Sequence, residues 1–171
     1  MSIDWRFAPF ADLTPREVHD LYRLRVAVFI VEQDCVFQDV DGVDPQCWHL
    51  LGYADESGPG PRPEASRGDE APRDRLVAYC RFVPPGVKYA EPSIGRVITA
   101  PRVRGSGMGR LLMREAMRRA QGLWPGERLR IGAQAHLERF YNEFGFTKAS
   151  EPYDEDGILH IEMEMRQWQA S

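Results

Sequence analysis

The chain has 171 residues, of which 43% are apolar and 28% charged, and 22 Lys and Arg against 26 Asp and Glu leave a formal net charge of −4. One globular domain over residues 1–171 fits this length, since such a chain buries roughly 70% of its unfolded surface without metals or disulfides. Membrane spans of roughly 20 apolar residues are missing, residues 1–10 lack the basic-then-apolar order of a signal peptide, and the acidic balance argues against broad nucleic-acid binding, so a cytoplasmic protein is expected.

Residues 2–8 alternate, with Ile3, Trp5 and Phe7 on one face, as in a strand. Thr14-Pro15-Arg16-Glu17 reads as a helix start: the threonine hydroxyl meets a free backbone N–H, proline suits the first position, and the glutamate reaches back. Val18, Leu21, Tyr22, Arg25, Val28 and Phe29 continue at helical spacing, with Arg25 the polar exception, and predict a helix over 15–31. An Asp- and Gly-rich loop spans 33–46, and a strand is predicted over 48–54. Residues 55–74 carry Pro59, Pro61, Pro63 and Pro72 with almost no apolar side chain, which predicts a flexible insertion outside the core. Strands follow over 75–83 and 93–99. Residues 107–121 read as a helix, with Met108, Leu111, Leu112, Ala116 and Ala120 on its apolar side and Arg110, Arg114 and Arg118 opposite. A strand over 129–135, a short helix over 137–144 stopped at Gly145 and steadied by Phe146, and a strand over 158–165 complete a mixed α/β pattern without internal repeat.

The informative stretch runs from Val97 to Arg110, where a strand enters a loop holding Gly105, Gly107 and Gly109 and the loop opens a helix. Such a loop exposes successive backbone N–H groups at the positive end of a helix, an arrangement suited to a pyrophosphate. A tight turn that needs glycine for backbone shape alone is an equal reading. No Gly-Lys-Ser/Thr follows, which argues against a P-loop, and Gly-x-Gly-x-Gly differs from the Gly-x-Gly-x-x-Gly of dinucleotide folds. Cys35, Cys47 and Cys80 form no Cys-x-x-Cys pair, so no metal is expected.

Arg104-Gly105-Ser106-Gly107-Met108-Gly109 is similar to the Arg/Gln-x-x-Gly-x-Gly/Ala signature of the GNAT superfamily of N-acetyltransferases, and Phe140-Tyr141-Asn142-Glu143-Phe144-Gly145-Phe146 resembles its Phe-Tyr-x-x-x-Gly-Phe segment. The stretches from Leu24 to Gln33, Gln38 to Gly42, Ala133 to His136 and Asp156 to Ile161, with His49, resemble the ElaA-like branch. The resemblance implies a mixed, mostly antiparallel sheet, flanked by helices, that splays between its fourth and fifth strands and takes acetyl-CoA as co-substrate there. It implies that the backbone of Val97, Ile98 and Thr99 pairs with the pantetheine. It further implies that N–H groups from Arg104 through Gly105, Ser106, Gly107, Met108 and Gly109 to Arg110 hold the pyrophosphate, with Gln134 beside the cofactor. The acetyl group would pass directly to an amine of a small molecule or peptide, Ile98 or Thr99 N–H polarising the thioester and Tyr141 protonating the departing thiolate. A non-catalytic CoA-binding module shares all but the last of these features. Glu32, at the end of the first helix, His136, His49 and His160 are candidates for the base, because Arg96 occupies a place where some relatives carry glutamate and arginine stays charged. The acidic stretch from Asp34 to Asp44 reads as a solvated turn or a lure for a cationic amine. Many relatives pair as homodimers, which adds a second copy to the expected partners.

Overall fold

The computed structural model describes residues 2–54, 75–166 and 168. The insertion predicted at 55–74 lies outside the described residues. Strands β1 (Ile3–Pro9), β2 (Trp48–Ala54), β3 (Leu76–Val83) and β4 (Ser93–Thr99) form an antiparallel sheet in that order. A second antiparallel sheet contains β5 (Leu129–Gln134), β6 (Thr147–Lys148), β7 (Tyr153–Glu155) and β8 (Ile158–Met165), with β8 pairing all three others. The sheets meet at the start of β4 and β5, where Arg130 N–H donates to Pro92 O at 3.1 Å. Beyond that bond no ladder joins the two strands among the described residues, so β4 is an edge whose outer side faces an opening. The strand reading was accurate to within a residue or two, but β6 and β7, with two and three residues, are too short for periodicity to reveal.

Helix α1 (Pro15–Arg25) starts as the sequence indicates: Thr14 Oγ1 accepts from Glu17 N–H at 3.2 Å, and Glu17 accepts from Thr14 N–H at 2.7 Å. The predicted continuation to residue 31 does not stay α-helical. Val26–Glu32 is a π-helix, in which Gln33 N–H reaches Val28 O at 3.2 Å. Four β-branched residues within this apolar run (Val26, Val28, Ile30, Val31) crowd a tight helix, and the wider turn buries Val28 while leaving Val31 72% exposed. Such π-segments often accompany functional sites.

Helix α2 (Met108–Leu123) packs Met108, Leu112, Met113, Ala116 and Ala120 inward. Leu111, expected on that face, is instead 39% exposed, and Met113 is buried in its place. The core joins these residues to Leu50, Tyr79 and Phe82 of the first sheet, to Ile131 and Ile161 of the second, and to Phe146 just before β6. The predicted helix over 137–144 is a 3-10 turn (Ala135–Leu137) followed by α3 (Glu138–Asn142). Gly145 ends it at φ +86, and Phe146 is buried.

Candidate acyl-CoA site

Register between β3 and β4 slips once: Tyr79 faces Ile98 and Arg81 faces Gly95, so Arg96 and Val97 together oppose Cys80. This bulge puts Arg96 at φ +53 and re-aims the strand beside the opening. Between β4, β5 and the π-helix lies a cavity of about 880 Å³. It brings together Glu32, Val97, Ile98, Thr99, Arg104, Gly109, Gln134, His136 and Tyr141 from the predicted set. A second hollow of about 370 Å³ shares Thr99, Arg104 and Gly109 with it and adds Gly105, Gly107, Met108 and Arg110. The predicted residues therefore fall in one continuous region, with Ser106 outside both linings.

The glycine loop has a backbone reason for its sequence. Gly105 and Gly107 adopt φ +77 and +86, and Gly107 caps α2 in the left-handed conformation. L-residues with a Cβ are strained there. The first turn of α2 holds no acidic residue, so its free N–H groups face the hollow uncompensated. This donor set fits a diphosphate by charge and by hydrogen-bonding capacity. Ser106 contributes no free hydroxyl proton, since its Oγ donates to Val103 O at 2.6 Å. Arg104 is turned away from the loop: its guanidinium grips both Glu32 oxygens, at 2.5 and 3.0 Å, and touches Thr99 O at 3.4 Å. It ties the glycine loop to the π-helix. Arg110 makes a similar two-pronged bond to Glu143, at 2.7 and 2.8 Å, linking α2 to the end of α3.

Tyr141 is 7% exposed and lies edge-on to Phe140 and Phe146, with ring centroids 5.1 and 6.2 Å away. Burial pushes its phenol pKa up, so the hydroxyl keeps its proton at neutral pH, and among the described residues that hydroxyl has no hydrogen-bond partner. Gln134 Nε2 donates to Gln33 Oε1 at 3.3 Å, across the opening. His160 pairs with Gln134 in the β5–β8 ladder and stacks on Tyr153. Its Nδ1 lies 2.8 Å from Ile158 O. A carbonyl only accepts, so Nδ1 carries a proton, and in the neutral form of the ring the lone pair is on Nε2. His49 leaves the site: it is fully buried between Tyr79 Oη (2.8 Å) and Asp44 O (3.1 Å), and burial lowers its pKa.

The acidic loop is neither a solvated turn nor a free lure. Asp39, Asp41 and Asp44 fold onto three arginines from distant elements. Arg25, wholly buried, donates to Asp39 Oδ2 (2.9 Å), Asp39 O (2.6 Å) and Asp44 Oδ1 (2.8 Å). Arg81 of β3 bonds both Asp41 oxygens at 2.8 Å and Asp44 Oδ1 at 2.9 Å. Arg96, on the bulge, bonds Asp39 Oδ1 at 2.8 Å and stands over the rings of Phe29 (5.8 Å) and Phe37 (5.4 Å). Burial alone would raise the Asp41 and Asp44 pKa values, but these guanidinium bonds and charges hold both below the usual carboxylate range. The network fixes the bulge and the aromatic wall of the cavity. Cys35 is unsuited to nucleophilic work: burial and then the Asp156 and Asp34 charges raise its pKa, and its thiol donates to Asp156 O at 3.3 Å.

A split antiparallel sheet with a glycine loop at a helix N-terminus defines a class of protein. Residues 74–167 match the acetyltransferase (GNAT) domain family, and the chain belongs to that family. It is 40% identical over 97% of its length to a UPF0039 protein of Synechocystis, of which it covers 97%. The crystal structure of Escherichia coli ElaA superposes with a TM-score of 0.80 at 35% identity, covering 95% of this chain and 99% of that one. An acyl-CoA N-acyltransferase from Pseudomonas aeruginosa matches with a TM-score of 0.81 at 36% identity, covering the same shares. An acyl-CoA-dependent acyltransferase fold is thereby established, and the expected splayed architecture is the observed one. No helix among the described residues is long and apolar enough to cross a membrane.

Proposed function

We propose that the protein transfers the acetyl group of acetyl-CoA to a primary amine within a ternary complex, without a covalent enzyme intermediate. The observation that carries this reading is the convergence, on one opening, of the edge of β4, the glycine loop and the unpartnered Tyr141 hydroxyl. Acetyl-CoA supplies an activated thioester carbonyl. The free edge at Val97, Ile98 and Thr99 can pair with an extended amide chain as an added strand, and the first turn of α2 can hold a diphosphate.

The chemistry balances simply. The acceptor ammonium first loses a proton, its nitrogen forms the new C–N bond, the C–S bond breaks, and the amide nitrogen sheds its second proton. His160, whose Nδ1 donates to Ile158 O, and His136, at the end of β5, are the groups we assign to accept protons on the acceptor side. Of Ile98 and Thr99, the register turns the Thr99 N–H to the free edge, and it polarises the carbonyl oxygen. Tyr141 donates its proton to the thiolate. Glu32 is assigned to positioning, since both its oxygens are engaged by Arg104. The expected site is cytoplasmic, with a small-molecule or peptide amine as partner.

The test is CoA thiol release with acetyl-CoA and a panel of amines, in the wild type and Tyr141→Phe. Loss of the proton donor should lower kcat by about 10²–10⁴-fold while acetyl-CoA still stabilises the variant against heat. Equal kcat in both proteins would remove Tyr141 from the mechanism.

A further inference from the structure

The cavity's arginines are all paired within the protein. Arg81 and Arg96 are bonded to the acidic loop, and Arg104 is bonded to Glu32. Lys88 is different. It lies in the connection between β3 and β4, lines the cavity, and reaches over β5: a Cβ built on Gly132 would stand 3.5 Å from its Nζ. Among the described residues its ammonium has no hydrogen bond and no ion pair, only the Tyr89 ring at 5.3 Å. Across the same space sit two carboxylates without a cationic partner of full charge, Glu155 and Asp156. Glu155 Oε2 accepts from Tyr153 at 3.4 Å and lies 3.9 Å from His160 Nδ1.

Burial lowers the Lys88 pKa and Glu155 opposes that shift, so the two charges share one electrostatic environment without closing into a pair. An unpaired ammonium and carboxylates without a guanidinium or ammonium partner, lining one cavity from exposed positions, complement a ligand that carries both signs. The same cavity is lined by the apolar side chains of Val28, Phe29, Phe37 and Val87. The aromatic part of that lining is held by the Arg96 guanidinium.

We propose that the amine acceptor is a free α-amino acid with an apolar side chain, its carboxylate bound by Lys88, its amine beside His160 and Glu155, and its side chain against Phe29 and Phe37. This inference rests on the acyltransferase reading and narrows it. A carboxylate on the acceptor also distinguishes the substrate from simple amines by charge, since a bare amine leaves Lys88 without an anionic partner.

The experiment uses three matched pairs: phenylalanine with phenethylamine, leucine with isopentylamine, and methionine with 3-(methylthio)propylamine. CoA thiol release is measured with each, together with acetyl-CoA thermal stabilisation of the wild type. At least one amino acid should exceed its decarboxylated counterpart in kcat/KM by about tenfold or more, the scale of a charge-assisted contact. Lys88→Glu should raise KM for that amino acid by about tenfold to a hundredfold and Lys88→Arg should restore most of it, with the penalty confined to the carboxylate-bearing member of the pair. Because Lys88 holds no internal bond, both variants should melt near the wild type. Turnover that favours the decarboxylated amines, or that ignores the charge at position 88, would overturn the proposal while leaving the acyltransferase reading intact. So would an acetyl group found on Lys88 itself by peptide mass analysis. Absence of acetyl-CoA stabilisation in the wild type would instead strike the underlying reading.

Discussion

Replacing Arg25 by methionine should destabilise the protein far more than an ordinary surface change. The guanidinium is wholly buried, makes three hydrogen bonds of 2.6–2.9 Å, and lies 5.1 and 5.9 Å from the ring centroids of Tyr22 and Tyr79. Methionine approximates the stem but not the charge. Its loss leaves Asp39, Asp41 and Asp44 to be compensated by Arg81 and Arg96 alone. Breaking one partner of a buried pair costs about 3–5 kcal/mol, because the remaining charge stays desolvated. For a chain of this size each kcal/mol moves Tm by about 2–4 °C, so the drop should be roughly 6–20 °C. Urea unfolding of wild type, Arg25→Met, Asp44→Asn and the double variant would measure it. Neutralising Asp44 removes the orphaned charge, so the double variant should lose less than the two single losses summed. A single-variant loss within about 1 kcal/mol, or strict additivity, would refute the view that this network is an obligatory ionic cluster.

Four further outcomes follow from the same geometry. Gly107→Ala meets no atom within 4 Å, so it should cost only the left-handed strain of about 1–2 kcal/mol, yet it should weaken acetyl-CoA binding by reshaping the loop; unchanged affinity would separate the loop from the ligand. Glu32→Gln should lower stability by less than about 1 kcal/mol, its pair with Arg104 being half-exposed, and should raise KM for acetyl-CoA with kcat largely kept; a collapse of kcat would make Glu32 a proton acceptor instead. His160→Gln should lower kcat by about 10²–10⁴-fold, and an unaltered kcat would pass the role to His136 or solvent. In acid, Asp41 and Asp44 have folded-state pKa values below their unfolded ones, so their stabilisation is present above the unfolded value and is lost as pH falls through the folded value. Asp41→Asn should therefore flatten the acid limb of the stability profile, and a limb identical to the wild type would show that other carboxylates govern it.

The elements and the glycine loop are legible in the sequence because their causes are local. The capping box at Thr14, the alternation in β1 and the glycines before α2 each act within a few residues. What escaped detection acts at long range. Arg104 and Glu32 are 72 positions apart, and Arg81 and Asp41 are 40 apart, so no window along the chain joins them. Arg25 was visible as a polar residue on an apolar face, but its partners lay in a loop that read as solvated. The π-helix was hidden because an unbroken apolar run fits any helical pitch. Leu111 was misplaced for a related reason, since Leu111, Leu112 and Met113 are adjacent and only packing selects which two turn inward. Lys88 sits between Val87 and Tyr89 in a loop with no motif, and only the fold reveals that it overhangs Gly132.

Acetyl-CoA binding by the wild-type chain tests the central claim most directly. Thermal unfolding is followed with increasing acetyl-CoA, with CoA, ATP and NAD as controls. At about 100 times its dissociation constant the ligand should add about 2.7 kcal/mol, a rise in Tm of roughly 5–11 °C for a chain of this size. The account predicts that rise with acetyl-CoA, a comparable one with CoA, none with ATP or NAD, and its loss in Gly107→Glu, where a carboxylate faces the anion loop. An unchanged Tm at saturating acetyl-CoA, or equal shifts with ATP, would contradict it.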